Sequence, residues 1–364
     1  MKRMTTTLAA VVLATIAHAD TLVYVGTQST TLQAMRFDDQ TGALSAVGPV
    51  AQGLRPTWTL AHPTLPVLYA VDDDSAKDGT VTAYAVDRAS GALKKINQVA
   101  TGGKGATHLW FDAPSNTLLV ANFASAVTAS IAINTDGSLG ALVSTIQATG
   151  AGPHRRQASA HAHSTAIDPS GHFALAPDLG ADRVFVYGFD RATHKLAAGT
   201  AFVAPPGSGP RHLVFGADGH YVYLIDELTA EVMTLRWDAA HGKLALVQTL
   251  ALNADDFKGT KSAAEIALAR DGRFVYVANR SDNTINVYAV DAAAGTLSLV
   301  QRAPTGGDVP WSFAIHPSGH WLLVANQRSA NLTVLRIDET SGKLANTGVS
   351  MDTPAPVNLS FVDR

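Results

Sequence analysis

The sequence contains no cysteine, which excludes disulfides, thiolate catalysis and cysteine-ligated zinc. Charge is also scarce: charged residues make up 16% of the 364 residues, against roughly 25% in an average soluble domain, and the net charge is −3. The chain therefore lacks the basic footprint of a nucleic-acid-binding protein. No stretch reaches the roughly 18 uninterrupted apolar residues of a membrane-spanning helix, so we expect no membrane span. The 46% of hydrophobic residues is ample for a folded core and argues against a disordered chain.

The N-terminus has the pattern of a secretory signal peptide. Lys2 and Arg3 are followed by a short apolar stretch over residues 8–16 and by the small-residue exit Ala17-His18-Ala19. We predict cleavage after Ala19, with an uncleaved N-terminal helix as the alternative reading. The product is then periplasmic or secreted, and residues 20–364 form a single domain.

A Gly-x-Leu tripeptide closes a strand-like run again and again, at intervals of 46 to 57 residues. A period near 50 residues is typical of a solenoid or a propeller. The seventh copy has His194 in place of the glycine. The copies are Gly42-Ala43-Leu44, Gly91-Ala92-Leu93, Gly137-Ser138-Leu139, His194-Lys195-Leu196, Gly242-Lys243-Leu244, Gly295-Thr296-Leu297 and Gly342-Lys343-Leu344.

Within each unit the pattern is that of short antiparallel strands. An apolar run such as residues 213–215 leads into a turn such as Asp218-Gly219, and a β-rich run such as residues 274–277 ends at an Asn or Asp. Period-two alternation indicates strands, and turn residues that accept positive φ favour hairpins. Four such strands make one propeller blade, so the sequence predicts an all-β, seven-bladed propeller. The Asn and Asp positions, which we interpret mainly as turn caps, are Asp72, Asn122, Asp178, Asp226, Asn279 and Asn326.

Both ends of the repeat region are partial blades. Residues 356–361 match the first strand of a unit, and residues 22–26 match the second. We predict that the N- and C-terminal strands pair to complete one blade and close the ring, which removes exposed sheet edges. A ring of six or eight blades is the structural alternative.

In a propeller the first strand of each blade lines the central channel, and its start lies on the same face as the end of the second strand. Residues at these two positions should converge on the channel mouth. The strand starts carry Thr57-Trp58, Thr107-His108, His163-Ser164, Arg211-His212, Ala264-Glu265, Trp311-Ser312 and Val357-Asn358. The positions just after the second strands carry Asp73, Phe123, Leu179, Glu227, Arg280 and Gln327.

Charged and imidazole groups concentrate in the fourth to sixth blades. They are His161, His163, Arg211, His212, Glu227, Glu265 and Arg280. Such a mouth suits a small anionic substrate, because arginine binds carboxylate or phosphate through a planar fork. Each residue also has a structural reading: Glu265 can pair with Arg280, and Trp58 and Trp311 can be packing residues. The clustering on one side of one face favours function, because repeat geometry does not require it.

These residues resemble the seven-bladed propeller lactonase family, which includes bacterial propeller-type 6-phosphogluconolactonases and fungal carboxymuconate cyclases. By motif, the resemblance implies a site made of His163, Arg211, Glu227 and Arg280. The matching stretches are residues 156–157, 161–164, 178–184, 209–212, 226–228, 262–266 and 279–280, of which Gly-Pro-Arg-His and Ser-Ala-Ala-Glu-Ile are the most specific.

The expected function is hydrolysis of a sugar-type lactone by a water molecule, without a covalent intermediate. Glu227 would activate or orient the water, Arg211 and Arg280 would hold the anionic group or the oxyanion, and His163 would act as proton donor or hydrogen-bond partner. The further substrate-binding candidates are His161, His212, Glu265 and Trp311. We expect no cofactor and no metal, and a small anionic or sugar lactone as the ligand.

Two other functions remain open at this point. One is an exported, non-catalytic propeller that binds a ligand or a protein. The other is a calcium-dependent lactonase with Asp226 or Asn279 near an ion in the channel. The natural substrate and the oligomeric state do not follow from the sequence.

Overall fold

Seven four-stranded antiparallel sheets surround a central channel in the computed structural model, which describes residues 20–363. Within this range the chain forms strands and turns and no helix, so none of it makes a helix that could cross a membrane. The predicted signal peptide and its cleavage site at Ala19 lie outside the described residues. The seven-bladed prediction is confirmed, and rings of six or eight blades are excluded.

The strands of a blade are consecutive in the chain except in the first blade, where the last strand of the chain joins the first three. Residues 20–363 form 28 strands, four to a blade. They are β1 (Thr21–Thr27), β2 (Thr31–Phe37), β3 (Leu44–Gln52), β4 (Thr59–Ala61), β5 (Val67–Asp72), β6 (Asp78–Val86), β7 (Leu93–Lys104), β8 (Ala106–Asp112), β9 (Thr117–Asn122), β10 (Val127–Ile133), β11 (Leu139–Gln147), β12 (Ala166–Ile167), β13 (Phe173–Asp178), β14 (Arg183–Asp190), β15 (Lys195–Val203), β16 (Pro210–Phe215), β17 (Tyr221–Asp226), β18 (Glu231–Asp238), β19 (Lys243–Ala251), β20 (Ala263–Leu268), β21 (Phe274–Asn279), β22 (Thr284–Val290), β23 (Leu297–Pro304), β24 (Pro310–Ile315), β25 (Trp321–Asn326), β26 (Asn331–Ile337), β27 (Leu344–Asp352) and β28 (Pro356–Val362).

The ring closes as the sequence predicts. The first blade has the order β28-β1-β2-β3, so its innermost strand comes from the C-terminus and its other three from the N-terminus. The two ends pair antiparallel, with Leu22 opposite Val362 and Val25 opposite Leu359. Pairing of the ends leaves no blade with a missing inner strand, and it ties the termini together through backbone hydrogen bonds.

The core lies between the blades. The second and third strands of each blade are buried almost throughout, whereas the outermost strands are largely exposed. One cluster, for example, joins Tyr69 and Val81 of the second blade to Leu118 and Ile131 of the third. Each sheet therefore buries its apolar side chains against its neighbours, and the blades are stable only as a ring.

The repeated Gly-x-Leu element has a structural task at these interfaces. Its first residue has a positive φ in all seven copies, and His194, which replaces the glycine, has a φ of 58°. A tyrosine of the preceding blade donates a hydrogen bond to the glycine carbonyl in three places, of which Tyr24 to Gly91 at 2.9 Å is one. The repeat thus marks the turn where one blade is fastened to the next.

Candidate active site at the channel mouth

Glu227 lies at the centre of the candidate site. It follows β17 directly, and its side chain is only 4% exposed. Three arginines surround its carboxylate: Arg211 donates from Nε to Oε2 at 3.0 Å, Nη2 of Arg280 lies 2.9 Å from Oε1, and Arg156 donates from Nη1 to Oε1 at 2.5 Å. Three guanidinium groups around one carboxylate leave an excess of two positive charges at the mouth.

The arginines come from different parts of the ring. Arg211 lies on β16 of the fifth blade, and Arg280 follows β21 of the sixth. Arg156 lies on the long loop between β11 and β12, and 41% of its side chain is exposed, against 2% for Arg211. The convergence predicted for His163, Arg211, Glu227 and Arg280 is therefore observed, and Arg156 joins them.

The charges around Glu227 fix its ionisation. Burial by itself raises the pKa of Glu227, but the positive charges of Arg280, Arg211 and Arg156 outweigh burial and hold the pKa well below its usual range. Burial also lowers the pKa of Arg211, to about 10, so the guanidinium remains charged at neutral pH. A buried carboxylate with this many cationic partners stays ionised and rigidly held.

His163 lies beside this cluster with its Nε2 atom 3.8 Å from Oε2 of Glu227, too far for a hydrogen bond. Its Nδ1 atom is buried and has no hydrogen-bond partner among residues 20–363. Burial, together with the positive charge of Arg211, lowers the pKa of His163 well below the usual value, so the imidazole is neutral at pH 7. The backbone around His163 is irregular: β12 begins only at Ala166, and not at His163 as the repeat predicts.

Two adjoining cavities open at this face. The enclosed one, of about 350 Å³, is lined by His163, Arg211 and His212 together with Asp73 and Thr57 of the second blade. The wider one, of about 1150 Å³, is lined by residues of the fifth to seventh blades, including Glu227, Arg280 and Arg328, and by Arg156 of the loop between β11 and β12. Trp311 lines both cavities, and the guanidinium carbon of Arg280 lies 4.5 Å from the centre of its ring. A cation–π contact of this kind holds Arg280 in place.

The residue pairs at the strand starts divide into two layers. The first members, such as His163 and Arg211, face the mouth. The second members form a ring deeper in the channel, one from each blade, around a cavity of about 680 Å³: Trp58, His108, Ser164, His212, Glu265, Ser312 and Asn358. Both members of each pair were predicted at the mouth, but a strand rises by about 3.3 Å per residue, so the second member lies one step deeper in the channel.

Glu265 belongs to the deeper ring and does not pair with Arg280. Its Oε1 atom lies 2.7 Å from Nδ1 of His212, and Ser312 donates to its Oε2 at 3.1 Å. Burial raises the pKa of Glu265. His212 reaches both the ring and the enclosed mouth cavity, whereas Glu265 lines only the ring. Glu265 therefore supports His212 from below.

His161 lines neither mouth cavity. Its Nδ1 atom lies 3.0 Å from the carbonyl oxygen of Phe123, and its ring stacks on the Phe123 ring at 4.5 Å. Phe123 in turn contacts His163 edge-on, with the ring centres 5.4 Å apart. His161 therefore acts indirectly: it holds the Phe123 ring, against which His163 packs.

Sequence reasoning missed Arg156 as a site residue, although one signal points to it. The interval between the Gly-x-Leu copies is longest, at 57 residues, between Leu139 and Leu196, and the extra residues form the loop that carries Arg156. An insertion on the mouth side of a blade is a natural source of binding residues.

The Asn and Asp positions at the ends of the second strands are mostly turn caps, as expected. Asp178, for example, accepts from the backbone N–H groups of His161, Gly180 and Ala181. Asp226 is different, because both of its carboxyl oxygens are buried and find no partner in the described part of the chain, and burial raises its pKa well above the usual value. Across residues 20–363 no three His, Asp or Glu side chains are grouped so that they could hold a metal ion.

The fold and the mouth define a seven-bladed β-propeller with an arginine-rich cleft. The family model described as "Lactonase, 7-bladed beta-propeller" matches residues 21–361. The chain belongs to this lactonase family.

Curated relatives and solved structures agree with the family. The chain is 31% identical over 345 residues to a 6-phosphogluconolactonase of Bacillus subtilis, covering 94% of this chain and 98% of the relative. It is 29% identical over 316 residues to a 6-phosphogluconolactonase of Formosa agariphila, covering 85% of this chain and 88% of the relative. The structure of the periplasmic gluconolactonase PpgL of Pseudomonas aeruginosa superimposes with a TM-score of 0.88 and 35% identity, over 94% of this chain and 99% of that one.

Proposed function

We propose that the protein hydrolyses the lactone of a sugar acid at the channel mouth. The observation that carries this proposal is the excess of positive charge around Glu227, at a mouth where Glu227 and Arg280 line the wider cavity and Arg211 lines the adjoining one. Relatives named 6-phosphogluconolactonase and gluconolactonase support the substrate class. A non-catalytic binding propeller is not favoured by any of these comparisons.

The arginines have the chemistry to stabilise the transition state. Attack of water on the lactone carbonyl places negative charge on the carbonyl oxygen, and donors fixed beforehand around that oxygen lower the barrier. Arg211 donates hydrogen bonds from Nε to Glu227 and from Nη1 to the carbonyl oxygen of Ala264. Within residues 20–363 its Nη2 has no acceptor. We assign Nη2 of Arg211 and the neutral imidazole of His163 to the developing oxyanion.

Arg280 and Arg156 lie on the side of the wider cavity, where they suit an anionic substituent of the substrate. Glu227 holds all three arginines and is the positioning residue of the site. It is a poor general base, because a carboxylate whose pKa is held well below its usual range has little affinity for a proton.

No covalent route is supported near the mouth. Ser164, which follows His163 in the chain, lies in the deeper ring, and within residues 20–363 its buried Oγ atom has no hydrogen-bond partner. An unactivated serine hydroxyl is a weak nucleophile. Direct attack by water is therefore the proposed reaction.

The test is turnover of D-glucono-δ-lactone and its 6-phosphate by the purified protein and by the variant Arg211→Lys, which keeps the charge but loses the fork. We expect kcat to fall by about 10²-fold or more, the usual cost of removing an oxyanion donor. The matched control is Arg236→Lys on the exposed side of β18, which should leave kcat unchanged. Equal rates for the wild type and Arg211→Lys would refute the site, and no turnover of either lactone by the wild type would refute the function.

We further propose that the protein is exported to the periplasm. The pattern of residues 2–19 and the likeness to a periplasmic gluconolactonase support this location. Mass spectrometry of material from the extracytoplasmic fraction should show Asp20 as the first residue. Material that retains Met1 would contradict export with cleavage.

A further inference from the structure

The proposed reaction needs a group that takes a proton from water, and the residues around Glu227 do not supply one. Glu227 is shared by three arginines and stays ionised. His163 is neutral, but protonating it would place a second cation beside Arg211, and its pKa is lowered well below the usual value by burial and by that arginine. Both groups are therefore weak bases at neutral pH.

Asp73 lies on the opposite side of the mouth. It follows β5 of the second blade directly, in the same position that Glu227 occupies after β17 of the fifth blade. It lines the enclosed cavity of about 350 Å³ together with Arg211 and His163. A lactone held between the two walls would thus have the oxyanion donors on one side and a carboxylate on the other.

Unlike Glu227, Asp73 has no guanidinium partner among the described residues. Thr57 donates from Oγ1 to its Oδ2 at 3.1 Å, and within residues 20–363 its Oδ1 accepts no hydrogen bond. No ion pair to Asp73 forms among the described residues. Its Oδ1 lies on the side of Gly105 of the third blade.

The charged and titratable groups around Asp73 come from several blades. Arg55, Asp72 and Asp74 belong to its own blade, and their charges act on it in opposite directions. Across the cavity lie the histidines of the fourth and fifth blades, which are neutral, and Arg211, which is already paired with Glu227. Burial raises the pKa of Asp73 to about 6, against the opposing effect of the Thr57 hydrogen bond.

We propose that Asp73 is the general base of this reaction, an inference that rests on the lactonase function proposed above. Its carboxylate takes a proton from a water molecule as the water oxygen forms a bond to the lactone carbonyl carbon. The carbonyl π electrons move to the oxygen, which Arg211 and His163 stabilise. When the tetrahedral intermediate collapses, the bond from the carbonyl carbon to the ring oxygen breaks, and the proton held by Asp73 passes to that oxygen. The products are the open-chain hydroxy acid and the regenerated carboxylate.

The balance of charge and affinity suits this role. A general base is most effective when its pKa lies near the working pH, since it is then largely deprotonated and still has a high affinity for a proton. A carboxyl with a pKa near 6 is largely ionised at pH 7 and is a far better base than Glu227.

The experiment measures kcat for D-glucono-δ-lactone between pH 5 and 7.5 in the full-length mature protein and in Asp73→Asn. We expect the wild-type rate to fall on the acidic side with an apparent pKa near 6. Asp73→Asn should lower kcat by about 10²-fold or more, leave KM nearly unchanged and abolish the acidic limb. The matched control Asp74→Asn removes the same charge one residue further on, from a surface pair with Lys77. It should keep the wild-type kcat, and the acidic limb should remain and move only slightly to lower pH, because Asp74 raises the pKa of Asp73 much less than burial does.

A second variant tests the same assignment without removing the carboxyl. Thr57→Val deletes the hydrogen bond that favours the ionised form of Asp73, so the acidic limb should move to higher pH. A purely structural role of Asp73 would leave the limb where it is.

The outcomes separate this inference from the function on which it rests. If Asp73→Asn keeps the wild-type kcat and acidic limb while Arg211→Lys loses activity, the lactonase site stands and Asp73 is not its base. If Asp73→Asn fails to fold, an acidic limb that does not move in Thr57→Val overturns the assignment. If the wild type turns over no lactone, the function itself fails.

Discussion

Replacing Glu227 by glutamine should destabilise the ring, because it leaves two buried arginines without their counter-charge. The side chains of Arg211 and Arg280 are 2% and 6% exposed, so water cannot take the place of the carboxylate. Breaking a buried ion pair by removing one partner costs about 3–5 kcal/mol. Glutamine keeps the shape and one acceptor oxygen, so we expect the lower end, about 3 kcal/mol. Arg156 adds little to this figure, since 41% of its side chain is in solvent.

The expected change in melting temperature follows from the size of the domain. In domains of 150–250 residues 1 kcal/mol shifts Tm by about 2–4 °C, and the shift becomes smaller in larger domains. With an unfolding entropy of about 2.1 cal/mol/K per residue, a ring of about 345 residues shifts by about 1.4 °C per kcal/mol, so Glu227→Gln should lower Tm by about 4 °C at pH 7. Circular dichroism or calorimetry measures this directly.

The effect should also depend on pH in a defined direction. The pKa of Glu227 is lower in the folded protein than its unfolded value of about 4.3, so its contribution to stability is complete above that pH and is lost as the pH falls. The Tm difference between the wild type and Glu227→Gln should therefore be largest at neutral pH and shrink below about pH 4.

The control for this experiment is Glu339→Gln, which removes the same charge from a side chain that is 62% exposed. Surface substitutions of this kind usually change stability by less than about 0.5 kcal/mol. If the two variants melt at the same temperature at pH 7, the arginine cluster does not stabilise the fold and the reasoning is wrong. A Tm difference between the wild type and Glu227→Gln that grows as the pH falls would refute the reasoning as well.

Three further outcomes follow from the fold and the site. A chain that ends at Ala355 lacks β28, so β1 loses its inner partner and the chain should aggregate in size-exclusion chromatography; a monodisperse product with the wild-type circular dichroism spectrum would contradict ring closure. Gly295→Ala combines a φ of 70° with a Cβ only 2.3 Å from Tyr221, so it should lower Tm clearly more than Gly53→Ala, which meets the same kind of backbone strain with nothing within 4 Å. Extensive dialysis against a chelator should leave lactone turnover unchanged, because the described residues offer no metal-binding group; loss of activity that calcium restores would favour the calcium-dependent alternative.

The repeat made much of the fold predictable. The Gly-x-Leu spacing reflects a local need, since the turn at this point requires a positive φ that glycine adopts most easily. Even His194, which breaks the sequence pattern, keeps the turn, with its Nδ1 atom 2.7 Å from the Thr117 hydroxyl oxygen. Blade count and ring closure followed from counting these turns and from the partial units at the two ends.

The site residues could be predicted where their position within the repeat determines on which face of the ring they lie. His163, Arg211, Glu227 and Arg280 could be selected because each stands at a blade position that faces the mouth. The depth of each side chain in the channel was not resolved, and Glu265 was for this reason assigned to the mouth although it lies in the ring below. The position along each first strand carries that information, because a strand rises by about 3.3 Å per residue and each step leads deeper into the channel.

By itself the sequence determined what is local and periodic: strands of alternating polarity, turns that need positive φ, and a unit length that sets seven blades. These properties depend on each residue and its near neighbours, so they can be found without coordinates. Only the tertiary structure decided the partners: that Glu227 is shared by three arginines, that Glu265 pairs with His212, and that Asp73 faces the same cavity as Arg211. At the channel mouth, side chains from blades that are far apart in the chain meet in one low-dielectric opening. Their charges and proton affinities depend on the distances between them, and these distances do not follow from their spacing in the sequence.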